Sequence, residues 1–338
     1  MTIISSTAAS SSKTAAQVNT AAPVNTTRWH RPLMILTGLM VVAAVVAAVG
    51  TFADPRVLTG VPIWVKPFKF AVSIAIYAPT IAWMQSVLPR RSRLAERAAT
   101  VIVAALTIEM IIIVGQVIRG QTSHFNETTP LNTALFQIMG ASIGVLFGAH
   151  FVIAVVVARQ RLADRAAAYA IRLGLGLSLL GMLVATPMLL PGPSRTPVAG
   201  IAGAHTVGLA DGGPGLPLVG WSTVGGDLRI GHFVGLHGLQ ALPLLAIVLG
   251  RFFGGRLDEV TKARLLLVAG GAYAVLTVSL TWQAMRAQPL LRPDAGTLGV
   301  WIGLALATAT AAALVIRHPD RRLPWSSAIG RPAAGRLG

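Results

Sequence analysis

Cysteine is absent from this 338-residue chain. Disulfide bonds, thiolate nucleophiles and cysteine-ligated zinc or iron–sulfur sites are therefore excluded, whichever compartment its loops face. Acidic residues are scarce, with 11 Asp and Glu against 28 Lys and Arg, and charged residues make up only 12% of the chain. A soluble domain carries about twice that share of charge. The deficit argues against a soluble globular protein.

The apolar residues that take the place of this charge make up 54% of the chain. They come in blocks of about 20, the length of a helix that crosses the ~30 Å hydrocarbon core of a bilayer. Lipid offers backbone groups no hydrogen-bond partner, so such blocks must be helices. The sequence predicts an all-α, polytopic membrane helix bundle. Its eight candidate transmembrane spans are 32–53, 67–88, 98–119, 131–157, 166–190, 231–250, 265–285 and 297–316.

Basic residues between the spans predict the orientation. Most of them fall in the N-terminal segment 1–31, in alternate loops and in the C-terminal segment 317–338. The positive-inside rule then predicts a multi-pass protein of the cell membrane with both termini in the cytoplasm. We expect residues 1–31 to be a disordered tail and 317–338 a basic tail. Cleavage of the first span after Ala53 is an alternative that leaves the other seven unchanged.

The same distribution bears on the partners and the source. The basic residues lie in short loops at helix ends, where they orient helices, so nucleic acid is not an expected partner. The lipid bilayer is the expected one. The abundance of Arg, Ala and Gly is typical of a GC-rich bacterial genome, which predicts a bacterial protein.

One connection is long. Residues 191–230 are rich in Pro and Gly and face outward in the predicted topology. A connection of this length is usually either functional or disordered. The stretch from Gly203 to Asp227, with His205, Asp211 and Trp221, favours a packed lid or re-entrant segment, and a flexible connector is the alternative.

Two pairs of motifs recur four spans apart. They are Gln116-x-x-Arg119-x-Gln121 with Gln283-x-x-Arg286-x-Gln288, and Lys66-x-x-Lys69-Phe70 with Arg229-x-x-His232-Phe233. Four helices per half preserve orientation, so a duplication would be a parallel repeat of residues 32–157 and 166–316. Chance similarity between Ala- and Leu-rich helices is the alternative. Sites in such proteins tend to lie between the halves.

The strongest candidate for chemistry is Glu109, in the middle of the third span. It lies ~15 Å from Arg119 along the helix, near the centre of the bilayer. A carboxyl group there must be protonated, paired or in a wet cavity, which makes it a functional hypothesis by default. Gln116 lies on the same helix face two turns away. A neutral Glu109 bonded between helices is the structural alternative.

Histidines gather near the same side. His232, His237 and Gln240 lie on the sixth span, at a depth that puts His237 and Gln240 within reach of Glu109, and His124 lies in the loop after the third span. We take Glu109, His237 and His124 as candidate catalytic residues, and the three histidines as candidate metal ligands. His232 and His237 are five residues apart, about 140° around a helix, so a regular helix does not present both to one metal. Packed or interfacial histidines are the alternative.

Cations at the outer helix ends complete the candidate site. They suit a phosphate or carboxylate group, of a small molecule or a lipid headgroup, although ion pairs with Glu127, Asp227 and Asp294 are the alternative. The predicted ligand-binding residues are Lys66, Lys69, Gln116, Arg119, Arg229, His232, Gln240, Gln283 and Arg286.

Three segments carry a resemblance: Trp64–Phe70, Arg119–Asn126 and Gly226–His237. They resemble an uncharacterised family of bacterial multi-span membrane proteins, which implies no activity or cofactor. Eight spans in two halves with outward histidines also look like haem A synthase in plan. The Glu-x-x-His-Arg motif of that family is missing here, so its function is not carried over. Haem or a metal is therefore supported by no specific motif.

Three functions stay open from the sequence. The first is a membrane-embedded enzyme or redox protein with an outward-facing polar pocket. The second is a proton-coupled transporter of an anionic solute or lipid, in which Glu109 carries the proton. The third is a non-catalytic membrane sensor or assembly factor that presents the long loop.

Overall fold

The computed structural model describes residues 29–190 and 198–318, so most of both predicted tails and the start of the long loop lie outside it. Within these residues, eight helices are long and apolar enough to cross a membrane, which is compatible with an integral membrane protein. The helices are α1 (Arg31–Ala53), α2 (Val65–Ser86), α3 (Arg93–Ile118), α4 (Pro130–Arg159), α5 (Arg165–Leu183), α6 (Arg229–Phe253), α7 (Glu259–Met285) and α8 (Ala295–Arg317). Four two-residue strands accompany them: β1 (Val57–Leu58), β2 (Val61–Pro62), β3 (Thr206–Val207) and β4 (Gly226–Asp227).

Helices α3 and α7 begin five and six residues before the predicted spans. The Ser92 side chain caps α3 by accepting from the Ala95 N–H, and the Asp258 side chain caps α7 by accepting from the Thr261 N–H. Such caps satisfy backbone donors that a helix leaves free at its start. The first turns of both helices are charged, so hydropathy alone does not include them.

The two halves of the bundle pack in the same pattern. In the first half α1 packs on α2 and α3, and α3 packs on α4. In the second half α5 packs on α6 and α7, and α7 packs on α8. The halves meet where α4 contacts α5 and α2 contacts α6. Tyr77 and His150 reinforce this junction, because the Tyr77 hydroxyl lies 2.8 Å from His150 Nδ1 and His150 Nε2 lies 3.3 Å from the Leu175 carbonyl oxygen.

Glycines set the contact between α5 and α6. A Cβ atom on Gly235 would lie 2.4 Å from the Gly181 Cα, and one on Gly174 would lie 3.2 Å from the Gly238 carbonyl oxygen. The two backbones therefore touch. Small residues at helix interfaces permit such approach where lipid supplies no hydrophobic driving force between helices.

The bundle has two different ends. We call the end where α1, α3, α5 and α7 finish the lid end, and the opposite end the arginine end. At the lid end, short antiparallel hairpins precede α2 and α6. The Ile63 N–H donates to the Arg56 carbonyl oxygen at 3.0 Å, and the Leu228 N–H donates to the His205 carbonyl oxygen at 2.9 Å, so each hairpin is closed by the same bond. The first hairpin has only residues 59 and 60 between its strands, whereas the second has residues 208–225.

The corner between α3 and α4 has a defined set of side-chain bonds. Gln116 Nε2 donates to the Thr122 carbonyl oxygen, six residues on, at 3.1 Å. Arg119 Nη1 donates at 3.1 Å to Asn132 Oδ1, on the third residue of α4. The backbone turns at Gly120, whose φ is +69°.

The corner between α7 and α8 repeats this set. Gln283 Nε2 donates to the Pro289 carbonyl oxygen, again six residues on, at 2.9 Å. Arg286 Nη1 lies 3.3 Å from Thr297 Oγ1, on the third residue of α8. The backbone turns at Ala287 with a φ of +57°. Two of the predicted motifs thus occupy equivalent places in the two halves.

Candidate functional site at the lid end

Residues 198–228, which we call the lid, pack against the α3–α4 loop. The Glu127 N–H donates to the Gly200 carbonyl oxygen at 2.7 Å, and the Ala202 N–H donates to the Phe125 carbonyl oxygen at 2.8 Å. Phe125 is buried with a φ of +58°, a conformation that is uncommon for a bulky residue and indicates local strain. Its ring meets that of His205 edge-on, with centroids 5.0 Å apart. The long connection is therefore folded against the α3–α4 loop at residues 200–205, whereas most of residues 208–219 are exposed.

The lid binds one cation from each half of the bundle. Lys69 Nζ of α2 donates to the Val219 carbonyl oxygen at 2.8 Å. Arg229 Nη2 of α6 donates to the adjacent Gly220 carbonyl oxygen at 2.6 Å and forms an ion pair with Asp227 at 2.5 Å. Two neutral carbonyl oxygens thus lie where two cations converge. An anion would be a stronger partner for Lys69 than this carbonyl oxygen, since hydrogen bonds between charged groups are the stronger ones, whereas Arg229 already has one anionic partner in Asp227.

Lys66 joins α2 to the α3–α4 loop beneath the lid. Its Nζ lies 3.0 Å from His124 Nδ1, and Ser123 Oγ lies 3.1 Å from the same nitrogen. A lysine ammonium group only donates, so His124 Nδ1 accepts and its proton is on Nε2. Burial and the neighbouring charge of Lys66, with smaller contributions from His205 and His232, hold the pKa of His124 well below its ordinary value. His124 is therefore a neutral imidazole at pH 7.

His205 and Asp211 form a pair within the lid. Asp211 Oδ2 lies 2.5 Å from His205 Nδ1, and the Thr206 N–H donates to Asp211 Oδ1 at 2.8 Å. Burial lowers the pKa of His205, although the bond to Asp211 partly offsets this. Burial alone raises the pKa of Asp211, but the bonds and charge of His205 outweigh it and the net pKa lies below the ordinary value. Asp211 thus holds residues 205 and 206 of the lid in place through their side-chain and backbone N–H groups.

Glu109 of α3 lies below this layer. It is 1% exposed, and neither of its carboxyl oxygens has a hydrogen-bond partner among the residues the structure describes. Lys66 is the one charged group that acts on it electrostatically in that part of the chain. A buried carboxyl group without a partner costs free energy in either protonation state, and far more when ionised. Glu109 is therefore a group with unused bonding capacity beside a cation.

Two histidines of α6 are placed differently from each other. His232 Nδ1 lies 2.7 Å from the Gly181 carbonyl oxygen, which only accepts, so His232 carries its proton there and its Nε2 is an acceptor. His237 is exposed on the surface of the bundle, with its Nδ1 3.3 Å from Gln240 Oε1, and Gln240 Nε2 donates to Thr80 Oγ1 at 3.4 Å.

Neither His237 nor Gln240 forms a hydrogen bond with Glu109, whose carboxyl oxygens have no partner among the described residues. His237 is exposed and Gln240 contacts Thr80 of α2. That the two residues serve one site with Glu109 stays a prediction.

The remaining predicted ligand residues hold the corners together. Gln116 and Arg119 bond to Asn132, and Gln283 bonds to the backbone of residues 289 and 290. Arg286 forms an ion pair with Asp294 at 2.5 Å. Of the alternative ion pairs considered from sequence, those of Asp227 and Asp294 are present, whereas no described cation pairs with Glu127.

The described residues contain no group of three or more His, Asp or Glu side chains that could hold a metal ion. His124, His232 and His237 do not form such a group, and each of them uses one ring nitrogen in a protein contact, His237 with Gln240 on the exposed surface. A haem or metal site built from these three residues has no support in their geometry.

Three residues of this cluster, Ser123, His205 and Asp211, were not chosen as site residues from the sequence. Ser123 contacts His124, and Asp211 orients His205. Asp211 carried a signal, since it is an acid six residues from a histidine in a long Gly- and Pro-rich connection. Ser123 carried none, because a Ser in a polar loop is ordinary.

No protein-family model matches the chain, and neither curated proteins nor solved structures provide a match. The resemblance to bacterial multi-span proteins therefore stays a prediction.

We expect acid to open the lid. His124 and His205 have lowered pKa values in the closed form, so the open form binds more protons. Stability of the closed lid is then complete above the ordinary histidine pKa of 6.5 and is lost as pH falls below it. Lys66, Arg229 and His232 face these rings and oppose their protonation, whereas Asp211 favours it in His205.

Cysteine labelling measures this opening, because the chain contains no other cysteine. A thiol in place of the buried Ser123 should react with a membrane-impermeant reagent several-fold faster at pH 5.5 than at pH 7.5, relative to Glu127→Cys, an exposed control in the same loop. A ratio of the two rates that does not change with pH would contradict the assignment.

Proposed function

We propose that this chain is an integral membrane protein that binds an anionic group at its lid end, with proton uptake by Glu109. The lid end would face away from the cytoplasm, because the arginine-rich loops mark the opposite end as cytoplasmic. Proton-coupled transport of an anionic solute or lipid is the function that this arrangement favours. The observation that carries the proposal is the convergence of Lys66, Lys69 and Arg229 above a buried Glu109 that has no hydrogen-bond partner among the described residues.

Charge explains why the proton and the anion would bind together. An ionised Glu109 neutralises Lys66, which then attracts an anion weakly. A protonated Glu109 leaves the charge of Lys66 available. Each ligand therefore raises the affinity for the other, and the coupling is reciprocal by thermodynamic necessity. The lid would open to admit the anion, which replaces the carbonyl oxygens of Val219 and Gly220 as partner of Lys69 and Arg229.

An enzyme is the second candidate, and the contacts of His124 favour it. A neutral imidazole with an adjacent ammonium and hydroxyl group has the components of acid–base catalysis. The enzyme reading of the sequence, however, relied on His237 and Gln240, which lie outside this cluster. Binding of an anion without proton movement or turnover would leave the third reading, a non-catalytic sensor.

We also infer that the two halves arose by duplication. The shared packing pattern, the equivalent hairpin-closing bonds and the matching corners support this inference. The repeat would be parallel, and the lid would then be an insertion between the strands of the second hairpin. The duplication would place Lys66 and Lys69 in one half and Arg229 in the other, so the anion would bind between the two halves.

Anion binding is tested with sulfate, which does not titrate in the accessible pH range. In purified protein at pH 6, the double substitution Lys66→Gln/Lys69→Gln should weaken sulfate binding by at least about tenfold, since one hydrogen bond to a charged group contributes roughly 1.5–3 kcal/mol. Calorimetric titration measures this affinity.

Arg56→Gln/Arg292→Gln is the matched control, because it removes two exposed cations from the same end of the bundle. We expect it to change the affinity less than about threefold. Equal losses in the two double variants would mean that sulfate responds to overall charge, and the proposed site would be rejected.

A further inference from the structure

A groove of about 510 Å³ lies at the arginine end, between the starts of α1 and α3. It is lined by Arg31, Arg91, Arg93 and Arg97 and by a single acid, Glu96. We call it the arginine groove. It lies at the opposite end of the bundle from the lid, so it is separate from the site described above.

Most of the positive charge of this groove is uncompensated. Arg91 forms an ion pair with Glu96 at 2.6 Å. Arg31, Arg93 and Arg97 are exposed and have no ion pair within the described part of the chain. The groove also lies at the starts of two helices, whose dipoles favour negative charge there. An anionic occupant therefore fits its electrostatics.

Trp29 also lines the groove, and its indole Nε1 is buried without an acceptor among the described residues. Buried donors are ordinarily bonded, so an acceptor oxygen that reached this nitrogen after a small movement of the Trp29 ring would satisfy it. A phosphate group offers several acceptor oxygens, and arginine presents a planar set of donors that matches them.

Apolar stripes continue from the arginines along both helices. On α1, positions four, eleven and fifteen residues after Arg31 are Ile35, Val42 and Val46, which are 64%, 62% and 56% exposed. On α3, Val101 and Ile108 lie four and eleven residues after Arg97 and are 40% and 38% exposed. These spacings place each stripe on the face of its arginine. A molecule with an anionic head and apolar chains matches both features.

We propose that the arginine groove binds the phosphate-bearing headgroup of an anionic membrane lipid, with the acyl chains along α1 and α3. Basic pockets between membrane helices near the cytoplasmic surface suit such headgroups. The chain's own tails are poor competitors, since residues 1–28 contain no acid and residues 319–338 contain only Asp320. The proposal assumes membrane insertion, but not the activity proposed for the lid end.

Native mass spectrometry of the full-length, delipidated protein tests this proposal. The probes are short-chain phosphatidylglycerol, short-chain phosphatidylcholine and inorganic phosphate. We expect one phosphatidylglycerol to bind at least about tenfold more tightly than phosphatidylcholine. Arg31→Gln/Arg93→Gln/Arg97→Gln should weaken that binding by roughly a hundredfold, as each arginine near a lipid headgroup contributes roughly fivefold.

The matched control is Arg159→Gln/Arg161→Gln/Arg256→Gln, which removes three exposed arginines from the same end of the bundle. It should keep the wild-type affinity, and thermal melting should show that both triple variants are folded. An equal loss in the control, or no preference for phosphatidylglycerol, would overturn the proposal. Phosphate binding as tight as the lipid would overturn the choice of a lipid. Sulfate binding at the lid end should be unchanged in both triple variants, which separates the two sites.

Discussion

Gly235→Ala should lower the melting temperature of the purified protein by about 10 °C. The added Cβ would lie 2.4 Å from the Gly181 Cα and 2.9 Å from the Thr277 Cγ2. The first of these atoms belongs to the backbone of α5, so it cannot rotate away and the helices must separate. Overpacking of this kind costs roughly 3 kcal/mol. In a chain of this length, that loss lowers the melting temperature by about 10 °C.

Gly176→Ala is the control for this prediction. Gly176 lies on α5, and an added Cβ there has no atom within 4 Å. Because alanine favours the helix by up to about 1 kcal/mol over glycine, the melting temperature should rise slightly or stay constant. If Gly235→Ala melts like Gly176→Ala, the close contact between α5 and α6 is not present in the protein.

At acidic pH, where a protonated Glu109 no longer neutralises Lys66, Glu109→Leu should stabilise the protein, and it removes the proposed proton site. Both carboxyl oxygens of Glu109 are buried without a partner in the described residues, and an unsatisfied buried polar group costs roughly 1–3 kcal/mol. Leucine has a similar length and no polar atoms. We therefore expect the melting temperature to rise by a few degrees.

Gln116→Leu is the control on the same helix. Gln116 is equally buried, but it bonds to the Thr122 carbonyl oxygen and to Asn132. Its loss leaves these groups unpaired and should lower the melting temperature. A lower stability of Glu109→Leu would mean that Glu109 has a stabilising partner, and its role as a free proton acceptor would be contradicted. Because a buried carboxyl group without a partner lowers stability, its presence favours a functional role for Glu109.

The helices could be predicted from sequence because their physical cause is local. Twenty consecutive apolar residues have one stable form in lipid, and the structure contains eight such helices. The early starts of α3 and α7 were missed because Ser92 and Asp258 act as caps outside the apolar blocks. The repeated motifs also marked equivalent corners, since their bonds reach only 6 to 13 residues along the chain.

The site could be predicted only in part, because it depends on contacts between distant segments. Lys66 and His124 are 58 residues apart in the chain, and Lys69 and Val219 are 150 residues apart. Sequence indicated that Lys66, Lys69 and His124 were costly to place near a helix end, but it could not identify their partners. For His237, sequence gave a depth along α6 but not the direction of the side chain, which is exposed in the structure.

Proton uptake during sulfate binding tests the central claim most directly. The measurement is made at pH 7.5 and above, over the ordinary histidine pKa of 6.5, so that opening of the lid itself takes up few protons. In a weakly buffered solution with a pH indicator, wild-type protein should then take up protons as sulfate binds, and its affinity should fall as pH rises, by up to about tenfold per unit. In this pH range Glu109→Gln should bind sulfate without proton uptake and with an affinity that does not depend on pH. Binding without proton uptake in the wild-type protein, or uptake that persists in Glu109→Gln, would contradict the coupling of Lys66 to Glu109 on which this account depends.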